Sequence, residues 1–135
     1  MGIWYNIASL PNAIESHCKC PQSRDTLRSE LIIDLAESCI AAGKNITSNS
    51  KAVATVPGYG NWTNWNGPLS APYYIIETNY EWTMIGQPSR KGLWIMNRKP
   101  KMDESLLSQL YQKAEGLGFN ISKMERADQS CFQIN

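Results

Sequence analysis

The run Gly2-Ile3-Trp4-Tyr5-Asn6-Ile7-Ala8-Ser9-Leu10-Pro11 constrains this chain more than any other stretch. Apolar residues alternate through it and a proline stops it, which is the pattern of a β-strand with one buried face. Its tryptophan stands near the start, where a bulky ring can plug one end of a barrel. Far along the chain, Leu93-Trp94-Ile95-Met96-Asn97-Arg98 reads as another strand, ending on an arginine. A guanidinium stacked on an indole face is a favourable pair, worth roughly 0.5–2 kcal/mol depending on desolvation.

The 135 residues suit a single domain, 1–135, because a second one would be too small to bury its own core. The formal charge is +1, from 13 basic and 12 acidic side chains with no block of one sign. That is not the footprint of a nucleic-acid binder. The apolar runs fall well short of the roughly 20 residues that span a bilayer as a helix. The sequence opens inside its first strand, so we expect a mature or trimmed chain that lacks a signal peptide and lead-in segment. Four cysteines, Cys18, Cys20, Cys39 and Cys131, allow three pairings. Cys18-Lys19-Cys20 is too tight for a zinc knuckle and His17 is the single histidine, so no metal is expected. Asn45-Ile46-Thr47, Asn61-Trp62-Thr63 and Asn120-Ile121-Ser122 are N-glycosylation sequons. Together with the even cysteine count they point to a secreted, extracellular protein with two bridges.

Strand-like runs follow one another from Gly2–Ser9 through about 18–27, 31–40 and 44–55. Asn61-Trp62-Thr63-Asn64-Trp65 is ambiguous, Tyr73–Thr78 is a clear strand, and 81–86 and 92–98 close the set. Hairpin-length links favour an all-β, up-and-down antiparallel barrel, which leaves no open edge. Pro100 and Asp103 then introduce one C-terminal helix, with Leu106, Leu107, Leu110, Tyr111 and Ala114 on one face. Such a helix belongs against the barrel's outer wall. Phe119–Met124 reads as a last short strand.

Three separated stretches, residues 7–11, Ser70–Tyr80 and Leu93–Pro100, resemble the lipocalin family, in particular apolipoprotein D and the bacterial outer-membrane lipocalins. The resemblance implies an eight-stranded barrel with Trp4 and Arg98 as the pair that closes its base. It also implies a disulfide from Cys20 to Cys131, leaving Cys18 with Cys39. By the same carry-over Trp94 is a pocket residue, with Met96 sharing its direction and Leu93 and Ile95 facing the helix. Tyr74 and Ile76 are expected to face inward on their strand, and Ile33 and Leu35 on the third. Asp25 and Glu37 fall where the relatives carry an uncharged tyrosine and asparagine. A carboxylate in an apolar cavity is costly unless solvated or paired. Either the mouth is wide and wet, with Arg24 or Arg28 nearby, or these groups hold a cationic or hydroxyl group of a ligand.

The function implied is binding and transport of one small hydrophobic molecule: a fatty acid, sterol, retinoid, carotenoid or bilin-like pigment. No cofactor is required, and a bound lipid or pigment is the expected cargo. A peripheral membrane contact, and a monomer or a homo-oligomer, stay open. One alternative is a protein–protein module at the barrel mouth with Trp62 and Trp65 as its contact. A lipocalin-fold enzyme is the other, weaker one. No Ser-His-Asp set forms around His17, bridged cysteines leave no thiol nucleophile, and Glu77 and Glu81 are ordinary solvated carboxylates.

Overall fold

The computed structural model describes residues 1–11, 18–54 and 60–132. Eight strands precede the helix: β1 (Gly2–Ser9), β2 (Lys19–Ser29), β3 (Ile32–Ala41), β4 (Lys44–Ala54), β5 (Asn61–Asn66), β6 (Leu69–Thr78), β7 (Trp82–Gly86) and β8 (Leu93–Asn97). Helix α1 (Glu104–Gly116) follows, then a two-residue strand β9 (Glu125–Arg126). Strands β2 to β8 pair antiparallel in chain order, and β1 pairs with both β8 and β2. The sheet therefore closes into an eight-stranded up-and-down barrel. Short β9 joins β1 at Ala8 and Ser9, beyond the point where β2 leaves it.

Turn chemistry sets the register. Between β3 and β4, Ala42 (φ 51°) and Gly43 (φ 76°) are both left-handed, as a two-residue hairpin turn matched to the twist of its strands requires. Between β6 and β7, the Asn79 side-chain oxygen accepts from the backbone N–H groups of Glu81 and Trp82, each at 2.9 Å. The Thr78 hydroxyl donates to the Trp82 carbonyl at 2.9 Å and accepts from the Tyr80 N–H at 3.1 Å. These bonds explain why Thr78 and Asn79 stand there: each of the two side chains replaces a backbone partner the turn would otherwise lack. Pro72, within β6, lies beyond the end of the β7 pairing, so its missing N–H costs no ladder bond.

The densest packing lies outside the barrel. Met84, Leu93 and Ile95 are fully buried, and they meet Leu107, Leu110 and Ala114 of α1. Each such side chain contributes roughly 1.5–3 kcal/mol by leaving water. Asp103 caps the helix by accepting from the Leu106 N–H at 3.0 Å. Lys113 on the helix pairs with Glu77 on β6 at 2.8 Å, which fixes Glu77 on the outer side.

Phe119–Met124 is not a strand. Phe119 is buried under the helix end against Gly86, where an added Cβ would stand 2.7 Å from its ring. Residues Ile121–Lys123 then form a 3₁₀ turn, and sheet pairing resumes only at Glu125. Packing of one aromatic against the wall overrides the local strand propensity.

Candidate ligand-binding interior

The base is built around one ring. The Arg98 guanidinium lies 3.6 Å from the centre of the Trp4 indole and donates to the carbonyls of Ile3 and Tyr80, each at 3.2 Å. The left-handed φ of Tyr80 (70°) belongs to the turn that presents its carbonyl to Arg98. Gly2 sits at φ +92°, a conformation side chains rarely adopt, with the guanidinium beside it. The opening Gly-x-Trp thus has a physical reason: backbone freedom, then the plug.

Residues opposite one another in a ladder share a face, so direction passes from strand to strand. Trp4 is opposite Ser23, Ser23 is opposite Glu37, and Asp25 is opposite both Gly2 and Leu35. Ile33, Leu35 and Glu37 therefore share the inward face with Trp4. Beyond them Ile33 is opposite Ala52, Ala54 is opposite Trp62, and Trp62 is opposite Tyr73. From the other side, Trp94 is opposite Ile85 and Met96 opposite Thr83. The Tyr73 and Trp94 rings meet across this space, 5.2 Å apart and tilted by 46°. Gly92 makes room for that indole, since a Cβ there would lie 2.7 Å from it. The Trp62 indole N–H is buried and meets no acceptor among the described residues.

Two expected wall residues face the other way. Ile76 packs against the helix-side core, its Cδ1 within 2.8 Å of where a Gly86 Cβ would be. Tyr74 is opposite Gly86 and shares that outward face. The cause is a bulge between Ile75 and Glu77, which puts Ile76 and Glu77 on the same side. Tyr73 and Ile75 hold the inward places instead. Trp62 and Trp65 do not form a pair at the mouth either. They belong to β5, where an odd separation sends them to opposite faces: Trp62 toward Tyr73, and Trp65 outward beside Lys51.

Asp25 is on the Gly2 side of the Trp4 ring, at the base rather than at the mouth. Burial pushes its carboxyl above the ordinary value of 3.8, while the Ser23 hydroxyl, which donates at 2.6 Å, the N-terminal ammonium and Arg98 pull it back. Arg24 is exposed, and Arg28 is spent on an exposed ion pair with Asp34. Neither stands beside it as a partner. Glu37 is half-buried, opposite both Ser23 and Ser48.

Both bridges form as expected: Cys20 with Cys131, and Cys18 with Cys39. The first straps the tail across β1 and β2. Gln129, buried and unremarkable in the sequence, reinforces it by donating to the Asn6 carbonyl at 2.7 Å and the Pro21 carbonyl at 2.9 Å. No sequence signal marks Gln129, because its role depends on two backbone oxygens far away in the chain. Asn45, Asn61 and Asn120 are all exposed. His17 lies outside the described residues, among which no group of metal-ligating side chains forms.

Residues 1–129 match the family model of the lipocalin-like domain. Over 65 residues the chain is 40% identical to temperature-induced lipocalin-1 of Arabidopsis thaliana, a stretch covering 47% of this chain and 35% of that protein. Over 132 residues it is 20% identical to the outer membrane lipoprotein Blc of Vibrio cholerae, covering 92% of this chain and 77% of Blc. Lobster apocrustacyanin A1 shares the fold with a TM-score of 0.78 at 16% identity, over 95% of this chain and 76% of that one. Insecticyanin of the tobacco hornworm Manduca sexta does so with a TM-score of 0.69 at 15% identity, over 94% and 77%. Trp4 and Arg98 closing an eight-stranded up-and-down barrel, with its helix outside, agree with the family match: this chain belongs to the lipocalin family.

Proposed function

We propose that this protein is secreted and carries one small hydrophobic molecule inside its barrel, as a binding protein and not an enzyme. The observation that carries this reading is the Tyr73–Trp94 ring pair on the inward face, above a base sealed by Trp4 and Arg98. Two aromatic faces meeting in a half-buried interior suit a flat, apolar guest such as a retinoid, sterol, carotenoid or bilin better than a compact polar one. Trp94, Met96, Ile33 and Leu35 form its wall, with Tyr73 and Ile75 in the places first expected for Tyr74 and Ile76. Binding is driven by apolar area leaving water, at about 25 cal/mol per Å² before ordering costs. Glu37 is the interior carboxylate suited to a ligand hydroxyl or cationic group. Asp25, opposite both Gly2 and Leu35, lines the base end of the same interior. The paired cysteines support passage through an oxidising compartment.

Tryptophan-fluorescence quenching with retinol, a sterol and a fatty acid tests the reading, alongside native mass spectrometry of protein incubated in a lipid extract. We expect saturable quenching by at least one of them and a weakening of about tenfold or more in Trp94→Ala. A chain that retains no guest, and quenches no differently when Trp94 is removed, overturns it.

A further inference from the structure

The outer wall is covered unevenly. Phe119 shields it as far as Gly86 on β7. On the next strand the cover reaches Ile76 but stops short of Tyr74, which is opposite Gly86 and 38% exposed. Pro72 and, on β5, Trp65 extend this bare apolar track along the outside of the sheet, Trp65 being 37% exposed. Exposed aromatic surface on a regular sheet face calls for something to cover it.

The sequon Asn61-Trp62-Thr63 borders that track. Asn61 is opposite Tyr74, and Thr63 is opposite Pro72. Both sequon side chains thus face outward, and Asn61 is exposed. The Ile75 N–H donates to the Gly60 carbonyl at 2.8 Å, which makes Gly60 and Ile75 a hydrogen-bonded pair. Such pairs alternate with non-hydrogen-bonded ones, so Asn61 and Tyr74 form a non-hydrogen-bonded pair, the kind in which facing side chains come closest. The other two sequons are placed differently. Asn45 is opposite aliphatic Ile40, and the Asn120 side-chain oxygen accepts from the Ser122 hydroxyl beside the 3₁₀ turn.

We propose that Asn61 carries an N-linked glycan whose first sugar lies on the Tyr74 ring and whose continuation covers the track toward Pro72. The Asn61 amide nitrogen gives up a proton and bonds to the anomeric carbon of the first sugar as that carbon's bond to the diphosphate of a lipid-linked oligosaccharide donor breaks and the lipid diphosphate leaves. The C–H face of the attached sugar then meets the electron-rich face of the phenol. The sugar does for this part of the wall what the helix and Phe119 do next to it. This inference rests on the secreted reading given above.

The test is to pass the full chain through the secretory pathway of an insect-cell line behind an added signal peptide, map sequon occupancy by mass spectrometry, and record the sugar protons by NMR. We expect Asn61 to be occupied and the protons of its first sugar to be displaced upfield by the Tyr74 ring current. In Tyr74→Ser that displacement is lost while occupancy stays. An empty Asn61 beside an occupied Asn45 or Asn120 overturns the proposal. So does an occupied Asn61 with unshifted sugar protons. A third overturning result is an unglycosylated chain that dimerises and loses its dimer in Tyr74→Ser, which would assign the track to a second copy. The secreted reading fails separately: free thiols at Cys20 and Cys131 in protein taken from its own cells would remove it, whatever Asn61 accepts in the insect line.

Discussion

The two faces of the barrel wall are built to different standards. On the outside, beneath α1, Met84, Leu93 and Ile95 are sealed from solvent and interlock with Leu107, Leu110 and Ala114. On the inside, Ile33, Leu35, Trp94 and Met96 are only partly buried and share their face with Glu37 and Ser48. Neighbouring residues of one strand, Leu93 and Trp94, belong to opposite regimes. Cohesion sits between the wall and the helix, so the interior is free to be loosely filled and mixed in polarity. A barrel that depended on its own filling for stability would have no room for a guest.

The strap that ties the tail to the wall offers the harshest test of where the stability lies. Cys20 and Cys131 are 111 positions apart, and cross-linking so long a loop removes a large part of the unfolded chain's freedom. The double variant Cys20→Ala/Cys131→Ala is expected to lose about 3–5 kcal/mol in urea melts under oxidising conditions. A loss well below that would mean the tail, and the outer scaffold with it, contributes little.

Leu93→Ala against Trp94→Ala compares the two faces directly. The smaller outer deletion is expected to cost about 2–5 kcal/mol, the usual penalty for a cavity in a close-packed core. The larger inner deletion is expected to cost about 1 kcal/mol or less, far below the roughly 3–5 kcal/mol of a buried tryptophan in a solid core, while binding collapses. Equal losses would show that the interior is packed like the outside.

The contrast between the faces also explains what was legible in the sequence. The outer face was readable because its rules are local: Leu106, Leu107, Leu110 and Ala114 recur at helical spacing, and Leu93 and Ile95 alternate with Trp94 and Met96. Trp4, Arg98 and the two bridges were legible through family resemblance, and turn residues fixed the register between them. The β6 wall was not. The resemblance sends Tyr74 and Ile76 inward, and the bulge at Ile76 shifts the alternation by one, so Tyr73 and Ile75 take those places. Both faces of β6 are apolar there, so no polar residue flags the slip. β5 is ambiguous for a related reason: Gly60 and Gly67-Pro68 bracket a run rich in Asn and Trp, and only its pairing with β4 and β6 makes it a strand.

A substitution on neither face supplies the control. Ala42 is left-handed in the β3–β4 turn, where a Cβ is disfavoured by roughly 1–2 kcal/mol and glycine is at ease. Ala42→Gly is expected to raise stability by about 0.5–1 kcal/mol, partly offset by the freedom glycine gains when unfolded, and to leave ligand affinity unchanged. A change in affinity would tie the turn to the mouth, making its Cβ part of the site.

The smallest effect concerns the charged base of the interior. Burial raises the Asp25 carboxyl above 3.8, outweighing the Ser23 hydroxyl, the N-terminus and Arg98. A carboxyl with a higher pKa folded than unfolded holds its proton better in the folded chain. Its contribution therefore favours folding below 3.8 and is lost as pH rises through the raised value. Asp25→Asn keeps an acceptor for Ser23 and removes the charge, so it is expected to be at least as stable as the parent at neutral pH. The advantage should vanish in melts run below the ordinary carboxylate range. A variant that is instead weaker at neutral pH would show attraction to Arg98 winning over desolvation, and the base would then be an ion-paired plug whose charge stabilises the barrel.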